Sequence, residues 1–444
     1  MLKLGCIADD FASALDLANN LVTAGMRVVL TRSVPQAPLE RALADADAVV
    51  IALNTRYAAS SAAVVRALSA LVWLKAAGAT QIYAAFSPSF DSRYSGENPG
   101  NIGPVLDSLM TALETDFSIV CPACPEKRTT VFKGHLFLDD VLLGQSAMKH
   151  HPLTPMADSN VVSVLRAQTH RKIDRIDYAA VAQSSVAIQE RMAELRLIEV
   201  ELAVADAATT DDLVRLGHAV KGMDLVAGSS GLAIGLAVNF GIFPPERSGE
   251  LPPASGYAAV ICGSCSPAAE KQVQHFHGQG HPAMAIDPLK VVKFGAARVA
   301  QAAAAWAAPL LKKGPVLLYS TADAQAVASV KSLLGADNAD KLVAQCLAEI
   351  ALALAQLGVR RMLIAGSETA QSCLRGLGVN QLRMGNQVEA GAAWSYASYL
   401  PDSPAAEATP TNVNLPTVAE GLHLCLKPGS VGAEDFFTRA FSML

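Results

Sequence analysis

Two adjacent carboxylates stand where the first apolar run of the chain ends. Asp9 and Asp10 follow the run "KLGCIA" (3–8) and precede the helical pattern "FASALDLANNLV". One aspartate is enough to cap a helix N-terminus, where it accepts backbone N–H groups. Capping does not explain the second, and a carboxylate at the end of a strand can accept a proton or a hydroxyl hydrogen bond. The pair therefore indicates a functional site as well as a helix start.

A second polar segment follows the apolar run "QIYAAF" (81–86). It carries Asp91 and Ser92 and ends in the glycine-rich turn "GNIGP" (100–104), which opens another helical pattern. Backbone N–H groups at such a turn favour anions, although many glycine turns only connect elements.

Three turns rich in small residues each precede a helical pattern in the C-terminal half. They contribute Gly263, Ser264 and Ser266; Gly366, Ser367, Glu368 and Thr369; and Lys427, Gly429, Ser430 and Gly432. Three helix N-termini of this kind can converge on one polyanion. None of the turns is a Walker A loop, and no GxGxxG follows the first strand. This disfavours a P-loop NTPase and an ordinary dinucleotide-binding domain.

Short apolar runs alternate with helical patterns through most of the chain, and these elements must position the polar residues. Continuous apolar strands suit sheets covered on both faces, so the pattern favours an α/β fold of mostly parallel sheets flanked by helices. The predicted strands are 3–8, 27–31, 48–53, 81–86, 117–121, 224–228, 258–263, 283–287, 315–320, 362–366 and 422–427.

Proline and glycine concentrate at residues 241–256, which is typical of an interdomain linker. We therefore predict two domains, 1–245 and 246–444. A second irregular stretch at 400–421 is interpreted as a surface loop or flap. The Leu/Ala-rich helix at 338–357 is interpreted as core or as the interface of a homodimer.

Composition and charge narrow the class of protein. The 444 residues are 51% hydrophobic and carry a net charge of −5, with a pI near 6.0. Such a chain lacks the basic character of a nucleic-acid-binding protein, so we expect no nucleic-acid partner. We find neither an apolar stretch long enough for a membrane span nor a signal-peptide pattern, which predicts a cytoplasmic protein without a membrane partner.

Two of the cysteine pairs have the CxxC spacing of zinc or redox sites. They are Cys121–Cys124 and Cys262–Cys265, and each begins at the end of an apolar run. The stronger interpretation is a set of buried, reduced thiols that act as small hydrophobes, with no metal site.

Six segments together resemble one family, the four-carbon acid sugar kinases, and within it the 3-oxo-tetronate kinases. The resemblance covers nearly the whole chain in the same order and spacing. The segments are "IADDFASALDLANNLV", "FDSRYSGENPGNIGP", "FKGHLFLDDVLLGQSAMKHHPLTPMADSNV", "CGSCSPAAEKQV", "IAGSETAQSCLRGLGV" and "LCLKPGSVGAEDFF".

The resemblance implies a two-domain kinase that phosphorylates the terminal hydroxyl of a small sugar acid with ATP and Mg²⁺. The active site would lie in the interdomain cleft, between an N-terminal sugar-acid domain and a C-terminal nucleotide domain. Asp10 would orient or deprotonate the hydroxyl, with Asp9 in support. The other implied substrate-binding residues are Arg56, Asp91, Ser92, Gly100, Asn101, Gly103, His151 and Asp158. The implied ATP-binding residues are Ser264, Ser266, Gly366, Ser367, Glu368, Thr369, Lys427, Gly429 and Gly432.

Several positions depart from the family pattern. A lysine and an arginine of the family align with Ala85 and Thr129, and Arg128 stands beside the latter. Other departures include Ala12, Ser13, Ser87, Pro88, Ser89, Ser367, Pro428, Ser430 and the segment 390–394. Loss of a pocket cation is costly if a substrate anion is left unpaired. The alternative hypothesis is therefore a diverged member that binds nucleotide or a small acid without turnover.

Overall fold

The computed structural model describes residues 2–36, 45–92, 100–151, 153–243, 249–320, 332, 335–398 and 421–444. These residues divide into two compact units, Met1–Gly249 and Glu250–Leu444. The predicted division at 245 and nearly all of the predicted loop at 400–421 lie outside the described residues.

A parallel sheet forms the centre of the first unit. Its described strands pair in the order β2-β3-β1-β4-β11-β5-β10-β9, all parallel, while β6, β7 and β8 form a small antiparallel sheet. The strands are β1 (Leu4–Ala8), β2 (Val28–Thr31), β3 (Ala48–Ala52), β4 (Gln81–Ala85), β5 (Ser118–Cys121), β6 (Thr129–Phe132), β7 (His135–Leu138), β8 (Val141–Leu142), β9 (Ile173–Ile176), β10 (Leu202–Ala205) and β11 (Leu225–Gly228).

The helices of the first unit connect these strands. They are α1 (Phe11–Thr23), α2 (Ser60–Ala76), α3 (Ile102–Ala112), α4 (Val161–Arg166), α5 (Tyr178–Gln183), α6 (Ser185–Leu197) and α7 (Thr210–Ala219). The first helix starts and stops as its sequence predicts. The Asp10 side chain accepts the Ser13 N–H at its N-terminus. Gly25, with a φ of 102°, lets the chain turn back into β2.

The second unit has a mixed sheet. Its described strands pair in the order β13-β14-β12-β15-β18-β17-β16, parallel as far as β18 and antiparallel beyond it. The strands are β12 (Tyr257–Cys262), β13 (Ala283–Ala285), β14 (Val316–Tyr319), β15 (Val359–Ala365), β16 (Gln381–Glu389), β17 (Ala392–Ala397) and β18 (Leu422–Lys427). The helices are α8 (Pro267–Gly278), α9 (Pro288–Phe294), α10 (Ala296–Ala307), α11 (Ala336–Gln356), α12 (Ser367–Gly376) and α13 (Phe436–Arg439).

All eleven predicted strands are present, with ends that move by up to three residues, and the α/β class is confirmed. The prediction missed β10, although its run Leu202–Ala205 is apolar and buried, and it missed the strands that lack a continuous apolar run. Exposed or half-buried residues alternate with buried ones in β16, because an antiparallel strand can leave one face outside the core. The half-buried Asp174 and Arg175 interrupt β9 in the same way.

The CxxC cysteines are free thiols. Cys121, Cys124 and Cys262 are buried, whereas Cys265 is exposed. Burial raises the pKa of Cys121 to about 12, which keeps its thiol protonated. Within the described ranges, no group of three or more His, Cys, Asp or Glu side chains is arranged to hold a metal ion. No helix in the same ranges is long and apolar enough to cross a membrane.

A close backbone contact in the first unit provides a test of its packing. A Cβ on Gly217 of α7 would stand 2.5 Å from the backbone of Gly235, which cannot rotate away. We expect Gly217→Ala to lower the free energy of unfolding by about 1–3 kcal/mol, measured by urea denaturation. Gly278→Ala is the control, since a Cβ there meets nothing within 4 Å. Equal stabilities of the two variants would contradict the packing.

Candidate active site

The carboxyl ends of β1, β3 and β4 lie side by side in the first unit. Ala8, the last residue of β1, pairs with Ala52 on one side and Ala85 on the other. The residues that follow these strands therefore reach a common edge, where open α/β sheets bind their ligands. Three carboxylates and one guanidinium meet there.

Asp10 combines helix capping with an ion pair. One carboxylate oxygen accepts the Ser13 N–H at 2.6 Å, and the other accepts a bond from Arg56 Nη1 at 3.0 Å. The side chain is partly exposed, with 19% of its surface accessible. It is thus both oriented from the protein side and reachable by a ligand.

Asp9 lies behind Asp10 and is buried. Its Oδ2 accepts a long bond of 3.4 Å from the Ser87 N–H, and its Oδ1 has no hydrogen-bond partner in the described structure. Burial raises the pKa of Asp9 well above its usual range, and the neighbouring Asp10 charge adds to this effect. The charged form of Asp9 is therefore less favourable than that of an exposed aspartate.

Arg56 connects the carboxylates. Its backbone N–H and that of Thr55 donate to the Asp9 carbonyl, at 3.2 Å and 2.6 Å. Its guanidinium binds Asp10 on one side and Asp91 on the other, through Nε at 3.2 Å and through Nη2. Nη2 also lies 3.3 Å from the Ser89 hydroxyl. Hydrogen bonds thus fix both the backbone of Arg56 and its guanidinium group.

Asp91 is completely buried, yet it favours its charged form. Burial alone would raise its pKa, but the Arg56 guanidinium and the hydrogen bonds from Ser89 and Thr154 together outweigh burial and hold the pKa below the usual range. Ser89 donates to Oδ1, and the Thr154 hydroxyl donates to Oδ2 at 2.6 Å. These bonds satisfy the buried charge and make Asp91 a rigid support for Arg56.

His151 joins this group through Thr154, whereas Asp158 does not. His151 Nδ1 lies 2.7 Å from the Thr154 hydroxyl, and its ring stacks on Tyr57 at 6.5 Å between centroids. Tyr57 in turn lies under the Arg56 guanidinium. Asp158 is exposed and accepts the Asn160 N–H at 2.8 Å.

The turn at 100–103 uses two of its amides within the protein. The Asn101 N–H donates to Ser92 Oγ at 2.9 Å, and the Gly103 N–H donates to Gln168 Oε1 at 3.1 Å. Cβ atoms on Gly100 and Gly103 would both stand 2.6 Å from Gln168. Both glycines and Ser92 therefore shape the turn, and anion binding by these two amides would require them to change partners.

The two cations near the departures from the family pattern pair with other aspartates. Lys127 forms an ion pair with the buried Asp16 of α1. Arg128 pairs with Asp139 and Asp140 at 3.2 Å and 2.9 Å, and all three side chains are exposed.

In the second unit, the three small-residue turns come together. A Cβ on Gly429 would overlap the Ser264 side chain, and one on Gly263 would overlap the Thr369 hydroxyl. Ser266 caps α8 and also donates from its hydroxyl to the Gly429 carbonyl at 2.7 Å. The backbones thus approach each other at distances that only glycine permits.

The remaining residues predicted for this site lie on or beside the same turns. Gly366, with a φ of 110°, precedes α12, and a Cβ there would stand 3.5 Å from the Ser264 backbone nitrogen. Ser367 is half-buried and Glu368 is exposed in the first turn of α12. Gly432, with a φ of 95°, packs on Phe436. Lys427 is buried beneath the turns.

Comparison with known proteins identifies the family. Residues 4–236 match the model of a sugar-binding N-terminal domain, and residues 259–437 match that of a nucleotide-binding C-terminal domain. A 3-oxo-tetronate kinase of Cupriavidus necator is 42% identical over 445 residues, covering 99% of this chain and 97% of that protein. This chain belongs to the 3-oxo-tetronate kinase family. A second such kinase, from Pseudomonas fluorescens, is 42% identical over 444 residues with the same coverage.

Solved structures show the same fold over nearly the whole chain. A crystal structure from Salmonella typhimurium LT2, of a protein provisionally named a tRNA synthase, superposes with a TM-score of 0.87 at 34% identity, over 99% of both chains. A Haemophilus influenzae protein superposes with a TM-score of 0.82 at 32% identity, again over 99% of each chain.

The sequence analysis of this kinase-family chain did not select four residues that belong to the carboxylate network at the end of β1 or to the three turns of the second unit. Ser87 and Ser89 follow β4, where the strand-end rule that selected Asp91 applies equally. Thr154 lies in a polar loop within the quoted segment "FKGHLFLDDVLLGQSAMKHHPLTPMADSNV", so the family resemblance was the available signal. Gln272 stands at a helical spacing from Ala269, Val273 and Phe276, so a polar residue on an apolar face was the available signal.

Replacing Asp9 by asparagine tests its environment. Because the folded pKa of Asp9 lies above that of an unfolded aspartate, wild type loses stability as pH rises through the interval between the two values. An asparagine side chain does not titrate. As pH rises, the free energy of unfolding of Asp9→Asn should therefore increase relative to that of wild type, by about 1.4 kcal/mol for each unit by which folding raises the Asp9 pKa. Thermal unfolding from pH 4 to 8 measures the gap.

The control for this pH series is Asp140→Asn, whose side chain is 92% exposed. Its stability gap to wild type should stay flat across the series. A flat gap for Asp9→Asn as well would show that Asp9 ionises normally.

Gly429→Ala tests the approach of the turns. A methyl group at this position must displace the Ser264 side chain, so we expect the turns to separate and nucleotide affinity to fall at least tenfold by calorimetry. Gly278→Ala, at an open position of α8, should bind as wild type. Unchanged affinity of the Gly429 variant would place the nucleotide elsewhere.

Proposed function

We propose that this protein is an ATP-dependent kinase that phosphorylates the terminal hydroxyl of a four-carbon sugar acid, with 3-oxo-tetronate as the reference substrate. The Met1–Gly249 unit binds the acid, and the Glu250–Leu444 unit binds ATP. The main support is the network of Asp9, Asp10, Arg56 and Asp91 at the end of β1, in a chain that is 42% identical to a 3-oxo-tetronate kinase over nearly its full length.

Asp10 is the group that orients the attacking hydroxyl or accepts its proton. Its two oxygens are fixed by Ser13 and Arg56, and each keeps a further lone pair for the ligand. Phosphoryl transfer requires mainly positioning and stabilisation of charge, with little covalent chemistry by the protein. A carboxylate that is held rigidly but remains partly exposed meets this requirement.

Asp9 reduces the negative charge at the site. Burial raises the pKa of this carboxyl and disfavours its charge, which lowers the repulsion that a sugar acid and a nucleotide would otherwise meet. Arg56 supplies positive charge at the same place, and one of its five N–H groups remains beyond the four bonds described above. We assign the substrate carboxylate to this guanidinium.

The three turns of the second unit provide the phosphate cradle. Helices α8 and α12 begin at two of these turns, and helix N-termini favour anions. Within the described residues, no cluster of acidic side chains is arranged for a metal ion. Magnesium enters with ATP, ligated mainly by the nucleotide phosphates, as is usual for this ion. That the two sites meet in the interdomain cleft stays a prediction.

Asp10→Asn tests the catalytic assignment. Asparagine also caps helices, so α1 should keep its start while the carboxylate charge is lost. We expect kcat to fall by about 10²–10⁴-fold, measured as ADP release with Mg-ATP and a panel of 3-oxo-tetronate, D-erythronate, L-threonate and D-threonate.

The matched control is Asp177→Asn, which makes the same change at the N-cap of α5. It should retain full turnover. Wild type that binds ATP but releases no ADP with any acid of the panel would contradict the proposal and favour a binding protein. Turnover that survives in the Asp10 variant would move the catalytic role to another group.

A further inference from the structure

A buried cation lies beneath the nucleotide turns and has no part in the mechanism described above. Lys427 is the last residue of β18 and is 1% exposed. Its Nζ donates to Gln272 Oε1 at 3.0 Å and lies 3.5 Å from the Gly429 carbonyl oxygen. The rings of Phe436 and Phe437 each lie 5.6 Å from it.

The position of this ammonium is costly. Removing a charge from water is unfavourable unless the charge is paired, and the described partners of Lys427 are neutral oxygens and two aromatic rings. Cation–π contacts offset part of the cost. A methionine of similar length would fill the same space without it, so packing alone does not explain the lysine.

What the ammonium does is to set the orientation of the Gln272 amide. An ammonium can only donate, so the amide oxygen of Gln272 faces Lys427 and the amide nitrogen faces the other way. That nitrogen donates to the carbonyls of Val431, Gly432 and Ala433 at 3.0, 2.8 and 3.1 Å. The conformation of the third turn therefore depends on a contact that lies below it.

The same lysine joins the other two turns. The Gly429 carbonyl near its Nζ also accepts the Ser266 hydroxyl of the first turn. The Lys427 backbone carbonyl accepts the Gly366 N–H of the second turn at 2.9 Å. Lys427 is thus connected to all three turns without being exposed to a ligand.

We propose that Lys427 is a positioning residue for the nucleotide, whose buried ammonium acts through Gln272 to hold the turn at 428–433 in its phosphate-receiving conformation. Nucleotide affinity then depends on the charge of this ammonium. The inference rests on the proposed function, since it takes the three turns to be the ATP site.

The dependence predicts opposite effects of pH on affinity and on stability. Burial lowers the pKa of Lys427 to about 8, so above that pH the ammonium is lost and nucleotide affinity falls. The unfolded chain keeps this proton up to an ordinary lysine pKa, so between the two values stability rises with pH. The titratable groups that face the ammonium are Cys425 on its own strand and Cys262 on β12; Gln272 of α8 and the two phenylalanines of α13 do not titrate.

Lys427→Met is the decisive variant, because it keeps the length and apolar packing and removes the charge. We expect its Kd for Mg-ATP, measured by calorimetry without sugar acid, to rise about tenfold, because the variant loses the charged hydrogen bond that holds Gln272 in place. The Kd should also stop changing between pH 7 and 9, whereas that of wild type should rise over this range. The melting temperature should be equal or higher, and the KM for the sugar acid unchanged.

Lys271→Met is the matched control. Lys271 is the sequence neighbour of Gln272, but it is 63% exposed and pairs with Glu434 on the surface. This variant should bind Mg-ATP as wild type, with the same pH profile. Gln272→Met should reproduce the affinity loss of the Lys427 variant, because the ammonium acts through that amide.

The outcomes separate this inference from the proposed function. Wild type that fails to bind Mg-ATP overturns the proposed function. Wild type that binds with an affinity independent of pH from 7 to 9, or a Lys427 variant that binds equally well, overturns the inference alone. Should the Lys427 variant not fold, the wild-type titration and the Gln272 variant still decide the question.

Discussion

One guanidinium holds together the carboxylates at the end of β1. Arg56 bonds to Asp10 and Asp91, and its backbone is fixed on the Asp9 carbonyl. Without this cation, two or three negative charges would lie close together in a partly desolvated place, and at least one would have to take up a proton. The parallel sheet brings these side chains together because β1, β3 and β4 end in register. The fold supplies the proximity, and Arg56 makes that proximity tolerable.

The described part of the second unit depends on close backbone contacts between its three turns and not on a central ion pair. Its turns must bring backbone N–H groups close together, which demands the absence of side chains. Gly263 and Gly429 meet this demand, since a Cβ on either would overlap a neighbouring hydroxyl-bearing side chain. The buried ammonium of Lys427 lies below the turns and donates a hydrogen bond to Gln272, which in turn contacts the third turn. Under the proposed function, a phosphate-binding surface of small groups is therefore backed by a polar contact inside the core.

The sequence predicted what strand periodicity and strand ends can reveal. Continuous apolar runs identified the parallel strands other than β9 and β10, and the positions just after such runs identified Asp9, Asp10 and Asp91. Periodicity failed for β16, where half-buried residues alternate with buried ones at the antiparallel side of the sheet. Contacts across long sequence distances also leave no local signal. The bond from Thr154 to Asp91 and the bond from Lys427 to Gln272 join segments that local patterns treat separately.

Asp9 and Lys427 are two buried titratable groups whose displaced pKa values affect how each unit can accept an anion. Both ligands of a sugar-acid kinase are anions, so the protein must limit its own negative charge where they bind. Burial raises the pKa of Asp9 and so disfavours a negative charge at the end of β1. Burial makes Lys427 prone to release a proton, so its positive charge persists only below about pH 8. Rising pH thus makes both sites less favourable to anions, through Asp9 in one unit and Lys427 in the other. Burial in a region of low dielectric strengthens the electrostatic influence of each group. It also displaces the pKa of each group, so that this influence changes with pH.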